Sequence, residues 1–382
     1  MARLSSEDSG VIFRNPLPGH RVINAFYPNA VRLPSGQILA TLRIAGALYS
    51  PDGVLELFRS TDGGRTWQRQ GPVIQNDQAA GEINYGDGFI TVLRDGSLVL
   101  RTTRTDQTGG QLVFNPETGG VLPFEHLLLR SSDDGQNWSE PVASDLKGLF
   151  ADQFEVASCS PIIELEDGSW FHTIETWNTY DHVGPFDLQT YGVFSRDGGR
   201  TWTDRIDVAN GAKDNRAYSH AHGERLPDGR IFLTTWAAES QLQSDYDVHT
   251  VVSTDATGRQ WETPLATGIP GQTSCSVHLG DGRVLIVYSH REGTEQPGIK
   301  VVASEDDGRT WLLDKPLVIW DAYGKESLGV ARTDTYPSSH DTIAYGAPRI
   351  IGASDDGTSA LATFWCTQGA DTHCRWCRVA ID

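Results

Sequence analysis

The sequence predicts an all-β protein, one six-bladed propeller spanning residues 1–382 with four antiparallel strands per blade. Three observations predict it. One turn motif occurs five times, a second occurs six times, and an N-terminal strand-like segment belongs to neither repeat.

The first motif is S-x-D-x-G-x-x-W. It reads STDGGRTW (Ser60–Trp67), SSDDGQNW (Ser131–Trp138), SRDGGRTW (Ser195–Trp202) and SEDDGRTW (Ser304–Trp311). A fifth copy, STDATGRQW (Ser253–Trp261), carries one extra residue. The pattern is that of a hairpin turn. Ser and Asp accept from turn amides, Gly takes a positive φ, and Trp packs back between blades. Asp62, Asp133, Asp197, Asp255 and Asp306 are therefore structural.

The second motif is an apolar run, a turn ending in Gly, and another apolar run. Its copies are centred on Gly36, Gly96, Gly168, Gly229, Gly282 and Gly357. Each reads as two short antiparallel strands, a and b. Strand c leads into the Trp-containing turn and strand d leaves it. Six a–b turns give six blades. The last blade ends in HCRWCRVAID, which supplies only strand c, so GVIFRN (Gly10–Asn15) is expected to close the ring as its outer strand. That removes the sixth c–d turn. The long segments near 102–125, 142–155 and 315–342 are expected to be loops.

This topology puts both turn types on one face and the d–a and b–c loops on the other, where sites are grafted. Counting back from each a–b turn gives an inner ring of Tyr27, Asp87, Cys159, His220 and Thr273, with the sixth member within Tyr345–Pro348. Counting forward gives Arg43, Thr103, Glu175, Trp236, Ser289 and Phe364, with Arg104, Trp177, Glu239, His290, Arg291 and Trp365 beside them. Carboxylates, His and Tyr supply acid–base chemistry, while aromatic faces and Arg bind sugar.

The formal charge of −19 disfavours nucleic acid and anionic membrane surfaces. MARLSSEDSG lacks the apolar core of a secretory signal, and no run approaches the ~18 apolar residues of a membrane span. Five Cys, an odd number, suit free thiols in a reducing compartment. A cytoplasmic chain with a small oligosaccharide partner is expected.

On these repeats the chain resembles the sialidase superfamily, six-bladed propellers with Asp-box turns, over nearly its whole length. The resemblance implies a glycosidase-type site on the loop face. Members of that superfamily open blade 1 with Tyr-Arg-Ile-Pro, whose Arg joins a triad that holds the sialic acid carboxylate. Here Ala25-Phe26-Tyr27-Pro28 places Phe26 there. The second triad position falls at Trp236, and the third region offers only Lys300. The Glu that partners the nucleophile falls at His220. Ala344-Tyr345-Gly346 resembles the segment bearing the nucleophilic Tyr, and Asp52 stands near the acid/base Asp. The missing triad implies a non-sialic substrate. Exo-arabinanases of similar architecture use paired Glu residues, for which Glu155, Glu175 and Glu239 are candidates.

The candidate catalytic residues are thus Glu175, Asp87, His220 and Tyr345. The candidate binding residues are Arg43, Tyr27, Arg104, Trp177, Trp236, His290 and Arg291. Each has a plainer reading: an ion pair for Glu175 and the arginines, a turn residue for Asp87, and core packing for the aromatics. His220, His222, His290 and His340 show no local metal-ligand spacing, and Cys366, Cys374 and Cys377 read as buried thiols. No metal and no cofactor are expected. Three functions compete: an exo-acting glycoside hydrolase, a uronate lyase using His or Tyr with Arg, and a non-catalytic sugar-binding propeller.

Overall fold

Short apolar runs punctuated by glycine turns fold, in the computed structural model, into six four-stranded antiparallel blades. The structure describes residues 3–75, 83–146, 148–242, 244–323, 344–369 and 371–381; His340 lies outside them. The innermost strands are Asn24–Arg32, Ile83–Val92, Arg216–Arg225, Ser274–Gly280 and Tyr345–Gly352, with the split pair Phe154–Ala157 and Ile163–Glu164 in the third blade. Among the described residues the only helical piece is the 3-10 turn Ala212–Asp214. No helix among them is long and apolar enough to cross a membrane.

The sixth blade orders its strands as Leu4–Phe13, Asp371–Ile381, Ser359–Gln368 and Tyr345–Gly352. The N-terminal strand closes the ring as expected, but begins at Leu4 rather than Gly10. Its first half is polar and exposed, so no apolar alternation marked it.

The four regular Trp-containing turns share one hydrogen-bond scheme. In the first, Ser60 Oγ donates to Asp62 Oδ1 (2.8 Å), and the amides of Arg65 and Thr66 donate to the same oxygen at 3.0 and 2.9 Å. The Trp indoles differ: Trp67 Nε1 donates to the Gly64 carbonyl at 2.9 Å, whereas Trp202 Nε1 donates to Ser144 Oγ at 2.8 Å. Gly64 has φ +92°, and a Cβ there would meet Leu361 of the neighbouring blade at 2.7 Å, so each turn also clamps one blade to the next. In the fifth turn the extra residue changes the scheme: Ser253 Oγ donates to the Asp255 backbone carbonyl instead of its carboxylate.

These bonds hold turn carboxylates well below their ordinary pKa of 3.8. Asp62 and Asp306 sit at about 2, chiefly through the Thr66 and Thr310 hydroxyls and amides, and Asp133 at about 2 through Asn137. A depressed folded-state pKa gives stability that is complete above the unfolded value and is lost as pH falls through the folded one. Thermal unfolding midpoints are therefore expected to hold down to about pH 4 and to fall from there towards pH 2. Asp306→Ala is expected to lose several degrees at neutral pH and to show a shallower acid decline, read by circular dichroism melts.

Candidate active site

Four inner strands break register near the loop face, between Phe26 and Asn29, Tyr85 and Gly88, Ser219 and His222, and Gly346 and Arg349. A bulge re-aims side chains at such points. Tyr27, His220 and Ala347 take positive φ of 52°, 51° and 44° there, a costly backbone for non-glycine residues. The bulges turn residues toward the propeller axis, where they line a cavity of about 210 Å³.

Asp87, Cys159, Glu175 and His220 face this cavity, with Tyr27, Thr273, Trp177 and Trp236 around them. The Asp87 side chain is 16% exposed, and its Oδ1 lies 3.9 Å from Arg101 Nη2. Burial raises its pKa, against the opposing charges of Arg101, Arg349 and His220. Arg101 donates to the Ser158 carbonyl at 2.9 Å and stacks over Phe89 at 4.7 Å. Arg349, which lines the cavity, lies over the same ring at 5.3 Å, so Phe89 is stacked by two guanidinium groups.

Glu175 is held from two sides. Trp177 Nε1 donates to its Oε1 at 3.0 Å, and the His220 amide donates to its Oε2 at 2.5 Å. The His220 Nδ1 pairs with Ser219 Oγ at 3.0 Å, and burial lowers the imidazole pKa, so the ring is neutral near pH 7. Trp236 packs edge-on against His220 at 5.5 Å and donates from Nε1 to Asp245 at 2.9 Å. The aromatic wall continues through Tyr49, Phe114 and Trp177, with centroid separations of 4.9 and 5.7 Å. Tyr49 and Phe114 come from the b–c loops of the first two blades and line the cavity. Tyr27 donates to Tyr49 at 3.3 Å; burial pushes the Tyr49 phenol to about 12 and Tyr27 well above its ordinary value.

Three expected site residues lie elsewhere, for a common reason. Strand side chains alternate with period two. Thr103 and Thr105 line the cavity, so Arg104 points away; its side chain is 42% exposed and pairs with Glu125 at 2.5 Å. Arg291 lines it, so His290 turns outward to meet Lys300 Nζ at 2.9 Å. Gly346 and Ala347 line it, while Tyr345 is 0% exposed and donates its hydroxyl to the His290 carbonyl at 2.8 Å. A phenol so engaged, with its pKa pushed to about 12 by burial, is not placed to attack a sugar. Glu155, Glu239 and Asp52 are also absent from the lining. Asp52 instead accepts the Gly46 amide at 2.9 Å.

Arg43 reaches the wall but spends its donors on the protein. They go to Asn84 Oδ1 (2.8 Å) and the carbonyls of Ala47 (2.9 Å), Ser50 (2.7 Å) and Tyr85 (3.1 Å). Arg291 donates to Gln272 and to the Tyr345 carbonyl at 2.6 Å. Arg349 escaped the sequence reading because it stands one residue beyond the expected segment; it donates to Asn29 Oδ1 and the Pro348 carbonyl, both at 3.0 Å. Cys366, Cys374 and Cys377 are buried free thiols.

The BNR repeat-like domain family matches residues 95–343. A sialidase from Micromonospora viridifaciens is 25% identical over 328 residues, 81% of this chain and 48% of that protein. The chain thus spans about half the length of the curated relative it matches. A solved protein of unknown function from Dyadobacter fermentans superposes with a TM-score of 0.73 at 16% identity, over 99% of each chain. The α-L-arabinofuranosidase of Fusarium graminearum, solved with arabinobiose, gives a TM-score of 0.65 at 11% identity, over 99% of this chain and 98% of its own. With more than half its length matched, and with six blades built on these repeats, the chain belongs to the BNR repeat-like domain family of sialidase-like propellers.

Proposed function

We propose that the chain is an exo-acting glycoside hydrolase that removes a terminal non-sialic sugar from a small oligosaccharide. The observation that carries this reading is the pairing of Asp87 and Glu175 in one aromatic-walled cavity. Hydrolysis of a glycosidic bond needs one carboxyl that donates a proton to the leaving oxygen and one carboxylate that attacks the anomeric carbon or activates water. Asp87, whose protonated form is favoured by burial, takes the first role. Glu175, fixed by the Trp177 indole and the His220 amide, takes the second. Tyr27, Trp177 and Trp236 offer ring faces for stacking. Tyr49 and Phe114 extend the aromatic lining of the cavity. The relatives support the class of ligand: a sialidase is a sequence relative, and a fold relative was solved with a disaccharide.

A donor role for Asp87 fixes a sign. The raised pKa keeps the proton to higher pH, so kcat/KM is expected to fall as pH rises through that value. The alkaline limb should be missing from the residual activity of Asp87→Asn.

One observation favours a second reading, elimination on a uronate. The neutral His220 imidazole and Arg349 face the same cavity, a base beside a carboxylate partner. The two are separated by a panel of neutral and uronic oligosaccharides read by reducing-end release and by ultraviolet absorbance. Reducing ends without absorbance support the hydrolase. Absorbance from a conjugated double bond supports the lyase, and silence across the panel supports a binding propeller.

A further inference from the structure

Among the described residues one group of metal-ligating side chains comes together, and it lies inside this cavity. Cys159 stands in the gap of the third blade's split inner strand, Glu175 on the adjacent strand Trp170–Asn178, and His220 on the fourth blade's bulge. One ligand atom from each lies within 4.8 Å of the other two. No local sequence spacing announces the group, because neighbouring blades supply its members.

The chemistry of the set is specific. A thiol, an imidazole and a carboxylate are the ligands of zinc-class cations, and three protein ligands leave a fourth position open. Bond lengths of 2.0–2.3 Å put tetrahedral ligand atoms roughly 3.3–3.8 Å apart, so closing from 4.8 Å takes about 1 Å of side-chain rotation. The supporting shell is already formed. With Nδ1 engaged by Ser219 Oγ, His220 keeps Nε2 for a ligand. Trp177 Nε1 and the His220 amide orient Glu175, leaving lone pairs on both oxygens. The cavity supplies the entry path.

We propose that Cys159, Glu175 and His220 bind one zinc-class divalent cation, and that the bound cation blocks hydrolysis by engaging Glu175. On binding, the Cys159 thiol loses its proton to solvent as the sulfur–metal bond forms, and no redox change is involved. Metal binding stands independently of the hydrolase reading; the inhibition rests on it.

The test uses tag-free, chelator-treated protein dialysed against Co²⁺ and then freed of unbound metal. The expected result is one cobalt per chain by elemental analysis, with a near-ultraviolet sulfur-to-cobalt charge-transfer band. Cys159→Ser is expected to abolish the band, and His220→Ala to reduce the metal content. Ser219→Ala leaves all three ligands in place and is expected to weaken binding about 10–100-fold. Circular dichroism melts identify any variant that fails to fold, and Ser219→Ala then carries the comparison. Absence of stoichiometric cobalt in the wild type, or a band that survives Cys159→Ser, overturns the site. If cobalt binds with these properties but leaves oligosaccharide cleavage unchanged, the inhibition is overturned while the site stands.

Discussion

Asp87→Asn is expected to lower kcat by 10²–10⁴-fold on the oligosaccharide the wild type cleaves, the usual contribution of a positioned general acid. The carboxamide keeps an oxygen to face Arg101 but has no acidic proton for the leaving group. Because substrate contacts are otherwise intact, KM should change little and the loss should appear in kcat. Glu175→Gln is expected to lose a similar factor, with a stability cost that Asp87→Asn lacks. Two donors, Trp177 Nε1 and the His220 amide, now share two carboxylate oxygens. An amide offers one oxygen, so one donor is left facing an NH₂ group, worth about 1–3 kcal/mol. Steady-state kinetics with thermal melts of each variant separate the two effects. A wild-type rate in Asp87→Asn removes Asp87 from the chemistry.

Deleting residues 1–13 is expected to have the largest effect on stability. The strand Leu4–Phe13 pairs along nearly all of Asp371–Ile381, from Leu4 opposite Ile381 to Phe13 opposite Cys374. It also buries Ile12 and sets Phe13 against Phe58 at 5.6 Å, beneath Arg69. Several net-favourable hydrogen bonds of about 1 kcal/mol each, with about 2 kcal/mol for each large apolar side chain, come to a sizeable part of the 5–15 kcal/mol that holds a domain together. The deletion also exposes the edge of the long, largely buried strand Asp371–Ile381, and an unpaired strand edge templates aggregation. The truncated chain should therefore appear in the insoluble fraction. Soluble protein with an unchanged melting temperature would show that the ring does not depend on this strand.

The fold was legible because its information repeats. Six glycine turns and five Trp-containing turns, read against one blade topology, gave the blade count and the closing strand. The positions of the inner ring were legible for the same reason. In the first, second and fourth blades the strand bulge stands at nearly the same distance from the a–b turn, and the same count reached Tyr27, Asp87, Cys159, His220 and Thr273, all of which line the cavity. Counting failed where an offset of one residue changes the face. Arg104, His290 and Tyr345 stand next to lining residues and point away from them. In the last two blades the count reached Ser289 and Phe364, whereas Arg291 and Trp365 face the cavity. Tyr49 and Phe114 sit in loops, where no periodicity marks the inward side. Hydrogen-bond partners were beyond the sequence altogether. Arg43 reads as a binding residue until the structure gives its donors to Asn84 and three backbone carbonyls.

The central claim, water-dependent cleavage by the Asp87–Glu175 pair, is tested most directly by digesting a cleaved oligosaccharide in oxygen-18 water and weighing the products. Hydrolysis puts one heavy oxygen into the products for every bond broken, and the rate of labelling should fall about 10²–10⁴-fold in Asp87→Asn. Unlabelled products carrying a double bond would contradict the account, because elimination consumes no water; so would labelled products formed at the wild-type rate by Asp87→Asn.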